Sequence, residues 1–311
     1  MSFGERYLAH PALFPARLAG DAWGEESLLL ELPGGPYLFT GMNDGQAAAL
    51  ERRWAGFVRR VDPAQAPAAA FESRTLRVGA EEFRHFDLRG FELTLEATHA
   101  ADAVCLVGYE VMARLEWRRD ALRGAVWTSA ADPETFAGAV ENYCRALVAY
   151  RLAETGAVLL HAAAVVHDGA AYLFCGPSGA GKSTLSRRCA EEGDAVLSDD
   201  LNAVAFADGR PVALPLPFCG DLRSPERRAP VPVAAVCRLR QAPVDLAEPL
   251  APGAAIAALA ACAPYVNQDP HRADGLLAQL ERLVECCPTL MLSFTRTSLP
   301  WPALGAAKAG A

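Results

Sequence analysis

The stretch Cys175-Gly176-Pro177-Ser178-Gly179-Ala180-Gly181-Lys182-Ser183-Thr184 constrains this chain more than any other. Gly176, Gly181, Lys182 and Ser183 fit G-x-x-x-x-G-K-[ST], the pattern of a phosphate-binding loop. Glycines let the backbone curl into a nest whose N–H groups converge on phosphate oxygens. A helix starting near Lys182 adds the positive end of its dipole at the same place. The pattern assigns nucleotide contacts to Gly176, Ser178, Gly179, Ala180, Gly181, Lys182, Ser183 and Thr184. Lys182 is expected to reach the β- and γ-phosphates of ATP, and the Ser183 hydroxyl to join the coordination of Mg²⁺. The flanks agree with the motif. Residues 171–175 (AYLFC) read as a short buried strand, and 184–192 (TLSRRCAEE) as a helix with Leu185 and Cys189 on one face.

Gly193 then breaks the helical pattern, and residues 194–198 (DAVLS) read as a strand leading into Asp199-Asp200. A helix of two or three turns and a return strand bring these carboxylates back beside the phosphates. Paired carboxylates there suit one metal anchor and one base near an attacking hydroxyl. The spacing does not say which of Asp199 and Asp200 takes which role. Ahead of the loop, the apolar runs 158–166 and 171–175 flank His167-Asp168-Gly169, and Asp-Gly between such runs predicts a hairpin. The loop strand therefore has an antiparallel neighbour. In kinases of the shikimate and gluconate type, by contrast, the loop strand opens the domain among parallel strands.

The fold class predicted is α/β. A P-loop kinase domain with a mixed sheet and flanking helices is expected over residues 131–311. A smaller β-rich α+β region of unknown role is expected over residues 1–130. In that region 27–32 and 37–40 read as paired strands around Pro33-Gly34-Gly35-Pro36. Asn43 or Asp44 predicts a helix cap, with the helix running to about Arg60. Residues 62–70 (DPAQAPAAA) read as linker. Residues 73–128 read as short strands of an antiparallel, half-exposed sheet. Asp132-Pro133 opens a helix to about Glu154, with Phe136, Val140, Tyr143, Leu147 and Tyr150 along one side. Residues 214–228 read as an exposed loop in which Arg223 is a candidate contact to substrate or phosphate. Strands over 231–239 and 289–295, helices over 254–263 and 273–286, and a frayed tail after Trp301 complete the reading.

Composition narrows the partners. With 52% hydrophobic and 21% charged residues, the 311-residue chain is that of a globular protein with ample core. A net charge of −8 speaks against nucleic acid and anionic membrane as partners. Nine scattered cysteines without C-x-x-C pairs predict free thiols in a reducing cytoplasm. The histidines show no zinc-binding spacing. Neither a signal peptide nor a span of membrane length is read, so a cytoplasmic location is expected. Self-association is left open.

From about Leu160 to Leu304 the chain resembles the HPr kinase/phosphorylase-like superfamily, whose fold is related to phosphoenolpyruvate carboxykinase. The residues that carry this are LLHAAAVVHDGAAYLFCGPSGAGKST, LSDD, PFCGDLR, CCPTLMLSF and a late tryptophan. It looks most like the shorter HPr-kinase-related proteins found beside bacterial peptide-modification genes. The resemblance implies a phosphate loop at Gly176–Ser183, an acid–base aspartate at Asp199-Asp200, and a histidine ahead of the loop at His161; within the pair, Asp199 is favoured as the base and Asp200 as the metal ligand. Thr184 stands where HPr kinases carry glutamate, and the N-terminal half is unlike theirs. The implied activity is ATP- and Mg²⁺-dependent phosphorylation of a hydroxyl, such as serine on a protein or peptide, with Asp199, Lys182 and His161 in the catalytic site. Two alternatives stand beside it: a nucleotide-binding docking module without turnover, and a small-metabolite kinase.

Overall fold

A computed structural model of the chain describes residues 20–68, 70–80, 95–108, 110–118, 121–222 and 229–309. The chain divides into two compact units, Met1–Val148 and Ala149–Ala311. Each is built on its own mixed sheet, so the protein is α/β with strands dominating the first unit.

The first unit contains β1 (Asp21–Ala22), β2 (Glu26–Leu30), β3 (Tyr37–Met42), α1 (Asp44–Arg53), β4 (Val58–Arg60), β5 (Phe71–Arg77), β6 (Glu96–His99), β7 (Ala103–Gly108), β8 (Val111–Arg118) and β9 (Ala121–Thr128). It also includes the first part of α2 (Pro133–Glu154), inside which the unit boundary falls. The strand order is β4-β2-β3-β5-β9-β8-β7-β6, with β1 on β5. The expected antiparallel pairing holds from β6 to β9, but it is corrected at β5, and the half-exposed reading is corrected at β7. β5 runs parallel to both β3 and β9, and β7 is buried along its whole length. Two covered faces explain its unbroken apolar run, Ala103–Val107. The readings over 82–88 and most of 91–97 lie outside the described residues.

Helix α1 starts where expected. Asn43 accepts from the Gln46 N–H, and the Gln46 side chain accepts from the Asn43 N–H, a reciprocal capping box. It stops at Arg53 rather than Arg60, because the chain turns back through Gly56 and pairs residues 58–60 with β2. Asp132 caps α2 by accepting from the Thr135 N–H at 2.9 Å. Phe136, Val140, Tyr143, Leu147 and Tyr150 are all buried. Tyr143 meets the Ser73 hydroxyl at 2.8 Å in full burial, and that burial holds its phenol well above the ordinary range. Tyr143→Phe leaves the Ser73 oxygen without this partner. It is expected to cost about 1–2 kcal/mol, read as a lower urea midpoint.

The second unit continues with β10 (Val158–His167), β11 (Ala170–Cys175), α3 (Lys182–Glu191), β12 (Ala195–Ser198), β13 (Leu201–Ala207), β14 (Arg210–Leu214), β15 (Val231–Gln241), β16 (Leu246–Pro249), α4 (Pro252–Ala260), α5 (Ala273–Cys286), β17 (Thr289–Phe294) and α6 (Trp301–Ala309). The hairpin β10–β11 forms as the Asp168-Gly169 pair dictates, both residues at positive φ. β11 is parallel to β15, and β15 to β17. The order β11-β10-β13-β14-β15-β17-β16 also closes through the β11–β15 pairing. Phe174, Leu185, Cys189, Cys237, Leu239, Leu292 and Phe294 form the core on which α3 sits.

The hairpin β13–β14 forms where Asp208-Gly209 joins two apolar runs, a signal absent from the sequence reading above. One further expectation is corrected. The tail after Trp301 is helical, because Trp301 anchors it. The indole stacks on His167 at 3.9 Å between centroids and donates to Asp194 at 2.9 Å. Asp194 also hydrogen-bonds His167 at 2.8 Å, closing a three-residue clasp. Among the described residues, no helix is long and apolar enough to cross a membrane.

Candidate phosphate-transfer site

The stretch from Gly176 to Ser183 turns sharply from the end of β11 into α3. Gly181 is the residue before the helix and takes φ +104°, a left-handed conformation that side chains resist. No side chain caps α3, and its first turn has no acidic residue. The leading N–H groups are therefore left to an external anion, which the helix dipole also favours. The Lys182 ammonium is buried and donates to the Gly176 carbonyl at 2.9 Å, with the Pro177 carbonyl at 3.5 Å. These neutral acceptors hold the cation in the loop without neutralising it.

A Cβ on Gly181 would lie 2.8 Å from the Phe294 ring as well as force the backbone. Gly181→Ala is expected to strain the loop by about 1–3 kcal/mol. By titration calorimetry this should appear as ATP binding weaker by about tenfold or more.

The two aspartates differ in setting. Asp199 is buried. Its carboxylate accepts from the backbone N–H groups of Gly220 at 2.9 Å, Asp221 at 3.1 Å and Leu222 at 3.3 Å. Gly220 is needed for this approach, since a Cβ there would sit 3.0 Å from both carboxylate oxygens. Three donors on a group with about four acceptor positions leave one position for a ligand. Asp200 is more open, and its Oδ1 lies 3.4 Å from His161 Nε2. Ser198 fixes the turn that presents both aspartates. Its hydroxyl donates to the Phe218 carbonyl at 2.7 Å and accepts from the Asp200 N–H at 3.1 Å.

These groups share one cavity of about 580 Å³, lined by the loop residues Ser178, Gly179, Gly181, Lys182, Ser183 and Thr184, by Asp199, Asp200 and His161, and by Gly220 and Asp221. Gly176 and Ala180 shape the loop without lining this cavity. Arg223 lies outside the described residues. Sequence reasoning missed Gln241, Phe294 and Arg296, which complete the lining. Arg296 approaches Gln241 Oε1 at 3.4 Å, and Gln241 donates to the Gly179 carbonyl at 3.0 Å. The only signal in the sequence was their position at the C-terminal ends of β15 and β17, the end of a parallel strand where ligands bind.

Among the described residues no group of three or more His, Cys, Asp and Glu is arranged to hold a metal. Mg²⁺ needs no such cage, because it binds through one or two oxygen ligands together with substrate phosphates. Ser183 and Asp200 are hard oxygen ligands on one cavity and fit that role.

The family model that matches is described as ScmC, SynChlorMet cassette protein ScmC. It covers residues 139–282, which include β10, the loop, α3 and both aspartates. No curated protein matches the chain. Among solved structures the chain is similar to the Hpr(Ser) kinase/phosphatase from Coxiella burnetii. That similarity has 12% identity and a TM-score of 0.28, covering 49% of this chain and 97% of the other.

Proposed function

We propose that the chain is an ATP- and Mg²⁺-dependent phosphotransferase that phosphorylates a hydroxyl, a serine on a protein or peptide being the favoured acceptor. The observation that carries this reading is a single cavity shared by an uncapped helix N-terminus, a buried lysine and two aspartates. Phosphoryl transfer asks little covalent chemistry of a protein. It asks for alignment and for neutralisation of charge on the phosphate oxygens. The N–H groups of the loop and Lys182 would hold the phosphates. Ser183 and Asp200 would hold Mg²⁺, which supplies charge neutralisation at the β- and γ-oxygens. His161, 3.4 Å from the Asp200 carboxylate, would orient it. The acceptor oxygen bonds to the γ-phosphorus as the bridging P–O bond breaks and ADP leaves. The hydroxyl proton passes to Asp199, which its three backbone donors fix in place.

The docking-module reading is favoured by one observation: those same three donors occupy most of the acceptor positions on Asp199, leaving little room for an incoming hydroxyl. Both readings require nucleotide binding, and only one requires turnover. Incubation with γ-labelled ATP, Mg²⁺ and a mixture of serine peptides and small hydroxy acids separates them. Labelled phosphoester is expected on the phosphotransferase reading. Tight ATP binding without label in any acceptor would support the docking module instead.

A further inference from the structure

A second cavity, of about 570 Å³, lies on the other side of the phosphate loop. Its walls are the loop entry at Cys175, Gly176 and Pro177, the end of α4 at Ala257 and Ala258, Cys262 beyond it, and Arg238 on β15. His161 and Ser178 line both cavities, so the two adjoin. The volume falls in the range of small-ligand pockets, which is about 300–1,000 Å³.

Arg238 is the cavity's charged anchor. It stands beside Cys175 in the parallel β11–β15 register and alternates with the core residues Cys237 and Leu239, so it projects to the opposite face. It is exposed, and its charge acts on the neighbouring Cys262 thiol. Arg240, two residues on, bonds Ser293 at 2.7 Å and lies 3.6 Å from Glu248. No carboxylate lines the cavity. A guanidinium that meets no carboxylate over a small-residue wall selects an anion, and its fork matches the two oxygens of a carboxylate.

We propose that this second cavity binds a carboxylate carried by the phosphate acceptor, with Arg238 as its counter-ion, so that the acceptor's hydroxyl reaches past His161 to the phosphate loop. This rests on the phosphotransferase reading and deepens it. The acceptor class becomes a hydroxyl compound bearing a carboxylate within a few bonds. A free hydroxy acid and a peptide whose serine lies close to its C-terminus both fit that description.

Cys262 reports on occupancy. Its carbonyl accepts from the His161 N–H at 2.6 Å, which fixes it against β10. A hydrogen bond from Cys175 holds its thiol below the ordinary range, with the Gly176 N–H, Lys182 and Arg238 adding to the effect. Cys262 lines the cavity, so an alkylating agent that enters it is expected to meet the thiol. The experiment measures Cys262 alkylation by iodoacetamide on the full chain, resolved by peptide mass spectrometry. The probes are glycerate, glycerol, and a serine tripeptide with either a free or an amidated C-terminus.

Glycerate or the free-acid tripeptide is expected to slow alkylation by about fivefold or more, and the arm that protects identifies the source of the carboxylate. Glycerol and the amide should not protect. Protection should vanish in Arg238→Gln and return in part in Arg238→Lys, each rate being compared with that of the same variant without probe. Equal protection in wild type and Arg238→Gln, or none from either carboxylate, overturns the proposal. So does an ATP affinity weakened more than fivefold by Arg238→Gln, which would give the cavity to the nucleotide. ATP binding is measured separately, so its absence alongside carboxylate protection would sink the phosphotransferase reading and leave this site standing.

Discussion

Lys182→Ala is expected to lower phosphate transfer by about 10²–10³ in kcat/KM, with a smaller loss of ATP affinity. Lys182 is a buried cation whose visible partners are the neutral carbonyls of Gly176 and Pro177. Its charge is therefore free for phosphate oxygens, and it matters most when negative charge builds up during transfer. Removing it also takes a buried charge out of the fold, so stability should hold. The checks are calorimetric ATP titration, steady-state transfer and a melting curve. An unchanged transfer rate would remove Lys182 from the site.

Asp199→Asn is expected to lower kcat by about 10²–10⁴ while ATP affinity changes little. The structure adds a second consequence. The carboxylate accepts from three consecutive N–H groups at residues 220–222. Asparagine keeps one acceptor oxygen and turns an NH₂ donor toward backbone donors. Segment 220–222 should loosen, seen as faster hydrogen exchange at Gly220, Asp221 and Leu222. Loosening with full activity would make Asp199 a structural anchor and pass the base role to Asp200. A fall in kcat accompanied by retained ATP affinity supports the assignment made here.

Local chemistry explains what could be read in advance. The phosphate loop, the Asp168-Gly169 hairpin and the Asp132-capped α2 each carry their instruction within a few residues. The aspartate pair was legible because a short helix and a return strand leave few places for it. Parallel pairing in the first sheet was not legible. β5 joins β9 across more than forty residues, and no alternation pattern distinguishes that from an antiparallel partner. The end of α1 was misjudged because residues 58–60 pair with β2, a tertiary choice that overrides local helical spacing. Around the site, backbone groups and distant strands supply what the sequence hides. The N–H donors of residues 220–222 have no side-chain signature. Arg238 and Cys262 meet the loop only because β15 pairs with β11 and α4 ends beside β10.

The most direct test follows γ-labelled phosphate from ATP into serine peptides, with ADP measured in the same reaction. The account predicts acid-stable phosphoserine formed in step with ADP by the wild-type chain, and a loss of both in Lys182→Ala. Tight ATP binding with neither phosphoserine nor any other phosphoester formed would contradict it.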